Sequence, residues 1–256
     1  MVVLHVQYGS HALGMNMEMS VLLPAKPSSR PDGLWPTLYL LHGHSGDHTD
    51  WLRKTSLERY VQESGLAVVM PSGHNSFYTD APLGGRYFEH VSQEIPSLCE
   101  QLFPLSTKRE DRFAAGLSMG GYGAFKLALR HPDRFAAGIS LSGLMDMLGM
   151  MRADEHVTTG GLPFSGIFGP EAEERGGEND LMAVARRLLA SGKPLPRLYA
   201  ACGTEDFLYE NNLRFMEALR EPLGVVFEEG PGGHTWAFWD QYIQRAIRWL
   251  GFEVAG

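Results

Sequence analysis

Gly116-Leu117-Ser118-Met119-Gly120 sets a serine midway between two glycines. This spacing suits a hydroxyl nucleophile carried on a sharp turn, provided a buried strand runs in and a helix runs out. Both flanks comply. Arg112-Phe113-Ala114-Ala115 has strand character, and Gly121 to Leu129 reads as a helix that ends at His131-Pro132, because proline cannot continue it. Gly116 and Gly120 lack the Cβ atoms that would hold strand and helix apart. In a chain with 30 glycines such a five-residue match arises readily by chance, so its flanks carry the assignment. The plainer alternative is that Ser118 merely caps a glycine-rich helix.

A serine hydroxyl attacks a carbonyl at neutral pH only when a base takes its proton and an acid holds the base. On a strand–turn–helix platform of this kind the partners follow in the order serine, acid, histidine. Of ten histidines, His131, His156 and His234 follow Ser118. His131 ends the serine's own helix, and His156 precedes any further strand that could deliver an acid. His234 remains, in the flexible loop Gly230-Pro231-Gly232-Gly233-His234, with Trp236 opening the final helix. Histidine is the residue type best suited to the base role at neutral pH. The acid belongs just after the strand Leu198 to Cys202, where Gly203-Thr204-Glu205-Asp206 follows. Glu205 and Asp206 both qualify by position; Asp206 is preferred, partly on the family resemblance given below and partly because its shorter side chain holds an imidazole more rigidly. Asp180 and Asp240 read as solvated surface charges.

Acyl transfer also needs backbone donors for the developing oxyanion. One is the amide of Met119, next to the serine. Leu40-Leu41-His42-Gly43-His44-Ser45-Gly46, a strand running into a glycine turn, offers the His44 amide as the second, with Gly43 allowing close approach. Gly43 and Trp236 are therefore expected to border the substrate. The same stretch, His42, His44, Asp47 and His48, invites a zinc reading. It is one residue too long for an HxHxDH site, and later ligands are scarce. Structural roles for His42 and His48 beneath the loop fit better.

These residues need a scaffold. Leu38 to Leu41, Leu66 to Met70, Phe113 to Leu117, Phe135 to Leu141, Leu198 to Cys202 and Val225 to Glu228 are apolar runs suited to strands. Between them fall helices predicted at Leu57 to Glu63, Tyr87 to Phe103, Gly121 to Leu129, Leu181 to Ala190, Leu208 to Leu219 and Trp236 to Leu250. Such alternation builds a mostly parallel sheet covered on both faces. Earlier, Met15, Met17, Met19 and Val21 alternate with Asn16, Glu18 and Ser20, a strand whose hairpin partner is Val2 to Tyr8. One domain spanning 1–256 is expected. Residues 144–180 break the rhythm, with Met145, Met147, Leu148, Met150 and Met151 followed by the glycine-rich Gly160 to Gly177. They read as an insertion, a lid or pocket wall, or as filling for a satellite core.

Composition narrows the partners. Lys plus Arg against Asp plus Glu is 22 − 30 = −8, without the clustered positive charge that nucleic acid requires. Hydrophobic residues at 44% and charged residues at 20% are globular values. Cys99 and Cys202, with no CxxC neighbour, read as buried apolar residues. No basic leader, long apolar span or cofactor motif is evident, so a cytoplasmic enzyme without membrane contact or cofactor is expected, possible homo-oligomers included.

Five blocks together resemble a known family: LYLLHGHSGDHTDW (38–51), NSFYTD (75–80), AAGLSMGGYGAFKLAL (114–129), CGTEDFLYENN (202–212) and GGHTWAFW (232–239). They are similar to the esterase D-like branch of the α/β hydrolases, nearest the bacterial tributyrin and acetyl esterases. S-formylglutathione hydrolases, feruloyl esterases and mycolyl transferases are relatives in that branch. The resemblance runs from about Thr37 to Leu250. It implies an α/β-hydrolase fold and hydrolysis of short-chain acyl esters by Ser118, Asp206 and His234, with the amides of His44 and Met119. A thioesterase or acyltransferase using the same triad is the alternative. A catalytically dead binding protein is disfavoured, since no triad member is missing. The stretch 160–177 matches nothing in the family pattern.

Overall fold

The computed structural model describes residues 1–81, 84–153, 158–159, 162–169 and 176–255. The strands are β1 (Val2–Ser10), β2 (Met15–Leu23), β3 (Thr37–Leu41), β4 (Ala67–Pro71), β5 (Arg112–Leu117), β6 (Ala137–Leu141), the short pair β7 (Thr158–Thr159) and β8 (Leu162–Pro163), β9 (Arg197–Gly203) and β10 (Val226–Gly230). Eight of them form one sheet in the order β1-β2-β4-β3-β5-β6-β9-β10. From β4 to β10 every pairing is parallel, whereas β1–β2 and β2–β4 are antiparallel. The expected architecture, a parallel sheet with an antiparallel hairpin at one edge, is the observed one.

Among the described residues ten α-helices accompany the sheet: α1 (Asp50–Lys54), α2 (Leu57–Val61), α3 (Tyr87–Glu89), α4 (Ile95–Leu102), α5 (Met119–Arg130), α6 (Met147–Ala153), α7 (Phe164–Phe168), α8 (Leu181–Ser191), α9 (Tyr209–Leu223) and α10 (Trp236–Leu250). Strands buried on both faces divide their side chains between two cores. Tyr39, Leu41 and Ala114 join Phe125, Leu188 and Phe215 of α5, α8 and α9 on one face. Leu38, Leu40 and Leu117 join Trp51, Tyr60 and Ile243 of α1, α2 and α10 on the other. Hence the continuous apolar runs: a strand covered on both sides has no solvent face to mark with polar residues.

Several expectations need adjustment. In β2 Met17, Met19 and Val21 are buried as the alternation requires, but Ser20 and Leu22 are buried too, and Met15 is exposed. The strand becomes two-sided where it pairs with β4. The helix predicted over Tyr87 to Phe103 is interrupted by a π turn, His90–Glu94, linking α3 to α4. Helix α9 runs four residues past the predicted Leu219, accommodating Pro222 in its last turn. Helix α1 is too short to leave a periodic signal.

Within residues 144–180, Met145, Met147 and Leu148 enter the main core; Leu144 and Phe164 belong to that core too and, with Met150, which packs against it, also line the cavity described below. Much of the glycine-rich stretch, and His156, lie outside the described residues. Cys99 and Cys202 are free and buried. Among the described residues no helix is long and apolar enough to cross a membrane.

Candidate active site

Strand β5 delivers Ser118 to the carboxyl edge of the sheet, and α5 begins at the next residue. The turn is strained: Ser118 has φ 52° and ψ −118°, in a region that residues with a Cβ rarely occupy. Its geometry depends on the flanking glycines. A Cβ on Gly116 would collide with the Gly120 backbone, and one on Gly120 would lie 2.7 Å from the His42 carbonyl oxygen. The Ser118 amide is fixed by the Leu141 carbonyl at 2.9 Å, tying the turn to β6.

Strand β9 ends in the loop that presents Asp206, and β10 ends in the loop that presents His234. The structure brings both to Ser118. His234 Nε2 lies 2.9 Å from Ser118 Oγ, while its Nδ1 faces the Asp206 carboxylate at 2.9 and 3.0 Å. The second contact assigns the ring: Nδ1–H donates to the carboxylate, leaving Nε2 free to accept the serine proton. The Asp206 side chain is wholly shielded from solvent. Burial by itself would raise its pKa, but hydrogen bonds from His234, the Leu208 amide at 2.8 Å and Ser142 outweigh it. The carboxyl is held below its ordinary value of 3.8 and stays ionised.

Glu205, the other acid that qualified by position, does different work. Its carboxylate accepts from the Gly232 amide, and its own amide donates to the Gly232 carbonyl at 3.1 Å, so it braces the histidine's loop. Aromatic residues confine the imidazole. Trp239 meets it edge-on at 4.9 Å between centroids and donates Nε1–H to Ser142 Oγ at 3.1 Å. Phe207, 67% exposed, packs against it at 4.5 Å.

The Gly43–His44 turn lies directly against the serine: a Cβ on Gly43 would stand 2.5 Å from Leu117 Cδ1 and 3.5 Å from Ser118 Cβ. Among the described residues the amides of His44 and Met119 meet no protein acceptor, so both are free donors beside Ser118. The candidate metal ligands are otherwise engaged. His42 Nδ1 donates to the Gly43 carbonyl at 2.7 Å and Nε2 accepts from the Gly73 amide at 2.8 Å. Burial lowers its pKa and keeps it neutral. His48 binds Ser20 Oγ at 2.8 Å and approaches Glu18. Burial also lowers the pKa of His44. Among the described residues no cluster of His, Cys, Asp and Glu is placed to hold a metal ion.

A cavity of about 470 Å³ opens over Ser118 and His234, with Gly43, His44 and Trp236 in its wall. Phe77, Leu117, Leu144, Met150 and Phe164 make part of it apolar, and the rings of Phe77 and Phe164 sit 5.2 Å apart. Elsewhere it is charged. Buried Asp50 receives Arg53 at 2.6 Å and Lys54 at 3.0 Å, and Lys54 lies over Trp236 at 4.9 Å. Sequence reasoning gave no role to Trp239, Phe207, Phe77 and Ser142; the first three stand in the blocks quoted above, but the places of all four emerge only when loops far apart in the chain meet. It also missed Asn211 and Asn212, which hold residues 143–146 in place at 2.7–2.9 Å. Their signal was their presence in the CGTEDFLYENN block.

Such an arrangement can generate a serine nucleophile beside a partly apolar cavity, with two backbone amides, of His44 and Met119, that meet no protein acceptor among the described residues. The comparisons agree with it. A family model described as "Putative esterase" matches residues 10–250. The acetyl esterase of Caldicellulosiruptor saccharolyticus is 33% identical, over 98% of this chain and 98% of its own. Fluorophosphonate-binding serine hydrolase F of Staphylococcus aureus superposes with a TM-score of 0.89 at 37% identity, covering 97% of this chain and 98% of that one. The S-formylglutathione hydrolase of the same organism gives 0.85 at 38% identity, with the same coverage. The chain belongs to this esterase family, and it is an ester-cleaving serine hydrolase with the α/β-hydrolase fold.

Proposed function

We propose that the protein is a carboxylesterase for short-chain acyl esters, acetyl to butyryl, working through an acyl-enzyme on Ser118. The observation that carries this reading is the unbroken relay from Ser118 Oγ through His234 to buried Asp206, set beneath a cavity with an apolar wall. His234 takes the proton as Ser118 attacks, and Asp206 steadies the imidazolium that forms. The His44 and Met119 amides receive the oxyanion. His234 then returns the proton to the leaving alkoxide, and water releases the acyl group by the reverse path. The substrate is a small neutral acyl ester, and no cofactor takes part.

Likeness to an acetyl esterase, 33% identical over 98% of the chain, supports the short acyl group. A thioester leaving group is the second reading, favoured by likeness to the S-formylglutathione hydrolase of Staphylococcus aureus. Ser118→Ala should abolish turnover of p-nitrophenyl acetate while the fold persists; undiminished activity would sink the nucleophile assignment. A profile of acetyl to octanoyl esters, run beside S-formylglutathione, separates the two readings by their kcat/KM ratios.

A further inference from the structure

Among the described residues six that are not glycine have positive φ: Ser45, His74, Phe77, Tyr78, Ser118 and Ser142. Three of them fall within five residues, a stretch that the triad does not use. Backbone so strained persists only when its surroundings fix it, and it gathers at functional sites. Here the surroundings are the oxyanion loop itself.

The Gly73 amide donates to His42 Nε2 at 2.8 Å, the Tyr78 hydroxyl donates to the His42 carbonyl at 2.9 Å, and Asn75 Oδ1 accepts from the Ser45 amide at 2.7 Å. These three bonds bracket Gly43 and His44 on both sides. The Tyr78 ring is completely buried in a slot between Gly73 and α5, where a Cβ on Gly123 would lie 2.6 Å from it. Buried Lys126, also on α5, closes the slot by donating to the Tyr78 carbonyl at 3.2 Å and Thr79 Oγ1 at 2.9 Å. The two consecutive left-handed residues serve opposite ends of the arrangement: Tyr78 turns towards His42, and Phe77 turns into the cavity.

We infer that Tyr78 and Asn75 are positioning residues for the reaction, holding the His44 amide where the oxyanion develops while Phe77 of the same segment contacts the substrate. This rests on the Ser118 chemistry proposed above. Neither side chain touches the reacting atoms; both act through the loop. A donor displaced by a fraction of an ångström weakens the transition state more than the ground state, so the loss belongs in kcat.

The test uses the full chain with Tyr78→Phe, which removes one hydroxyl and keeps the ring, and Asn75→Ala, at a half-buried position. Ser118→Ala runs beside them. With p-nitrophenyl acetate each positioning variant should lose about tenfold in kcat, with KM within about twofold of the parent. The Ki of a methyl trifluoromethyl ketone, which adds to the serine as a tetrahedral oxyanion, should rise by the factor that kcat/KM falls. Titration with a fluorophosphonate should still count one active site per chain. Unchanged kcat in both variants overturns the inference. So does a loss confined to KM, a loss explained by fewer active sites, or an unchanged ketone Ki. Activity retained by Ser118→Ala overturns the nucleophile reading and this one with it. Activity that depends on Ser118 but ignores Tyr78→Phe and Asn75→Ala overturns this one alone.

Discussion

Gly203 and Gly232 meet face to face: a Cβ on Gly203 would run into the Gly232 carbonyl group. The contact joins the loop that carries Asp206 to the loop that carries His234. Three hydrogen bonds run alongside it, from the Thr204 amide to the Gly230 carbonyl at 2.9 Å, from the Glu205 amide to the Gly232 carbonyl at 3.1 Å, and from the Gly232 amide to the Glu205 carboxylate. Asp206 and His234, the proposed acid and base, are thus registered through their backbones as well as through their side chains.

Gly203→Ala should therefore damage activity and stability together. The methyl group must push the two loops apart, an overpacking cost of about 1–3 kcal/mol. Because the displacement falls between Asp206 and His234, kcat/KM for p-nitrophenyl acetate should drop more than tenfold. Urea denaturation and steady-state kinetics on the same preparation check both. Wild-type kinetics in a destabilised variant would show that the registration is not what the chemistry needs.

Glu205 and Asp206 should separate cleanly on mutation. Asp206→Asn presents an amide to His234 Nδ1, favours the wrong tautomer, and should lower kcat by about four orders of magnitude. Glu205→Gln keeps an acceptor for the Gly232 amide and should cost less than about tenfold, since a neutral bond replaces a charge-assisted one. Kinetics of both variants at pH 8 decide it. Equal losses would mean that the acid role is shared.

Much of this site could be read from the chain, and the reasons are physical. Ser118 is legible because a strained turn demands glycine on either side. His234 is legible because order along the chain leaves no other base. The strands of the parallel sheet are legible because burial on both faces erases polar residues from them. Asp206 against Glu205 was not decided by position: adjacent residues on a loop point in directions that only the loop's hydrogen bonds fix. Phe77 and Tyr78 stood in the NSFYTD block without a legible role, since left-handed backbone at non-glycine residues leaves no compositional trace. Met145 and Met150 look alike in sequence but separate into core and cavity, because that choice depends on what packs opposite each.

Phe77 governs how much room the apolar part of the cavity has. Its ring packs on Phe164 and Phe168 at 5.2 and 5.5 Å. Phe77→Ala opens this wall, and the kcat/KM ratio of hexanoyl to acetyl p-nitrophenyl esters should rise about tenfold, since each buried methylene is worth about 0.8 kcal/mol. The same truncation should cost about 3 kcal/mol of stability in urea. A chain-length profile parallel to that of the parent would place the acyl group against another wall.

Stability should fall as the solution is acidified below neutrality, through histidines remote from the triad as well as those beside it. His42, His44, His90 and His131 all have folded-state pKa values below 6.5, with burial the largest cause in each. For such a group the unfolded chain binds the proton more readily. Its stabilising contribution is whole above about pH 6.5 and drains away as pH drops towards the folded value. Asp206, lowered from 3.8, acts in the same sense but only below about pH 4, so the histidines dominate between pH 5 and 7. Each proton taken up on unfolding steepens the dependence by about 1.4 kcal/mol per pH unit. Melting temperatures measured from pH 8 to 5 should be level at first and then decline. His131→Phe gives the control: it keeps a ring on Phe88, which His131 stacks upon at 5.4 Å, and removes one titrating group. Its decline should be shallower than the parent's, whereas an identical slope would exclude His131 from the set.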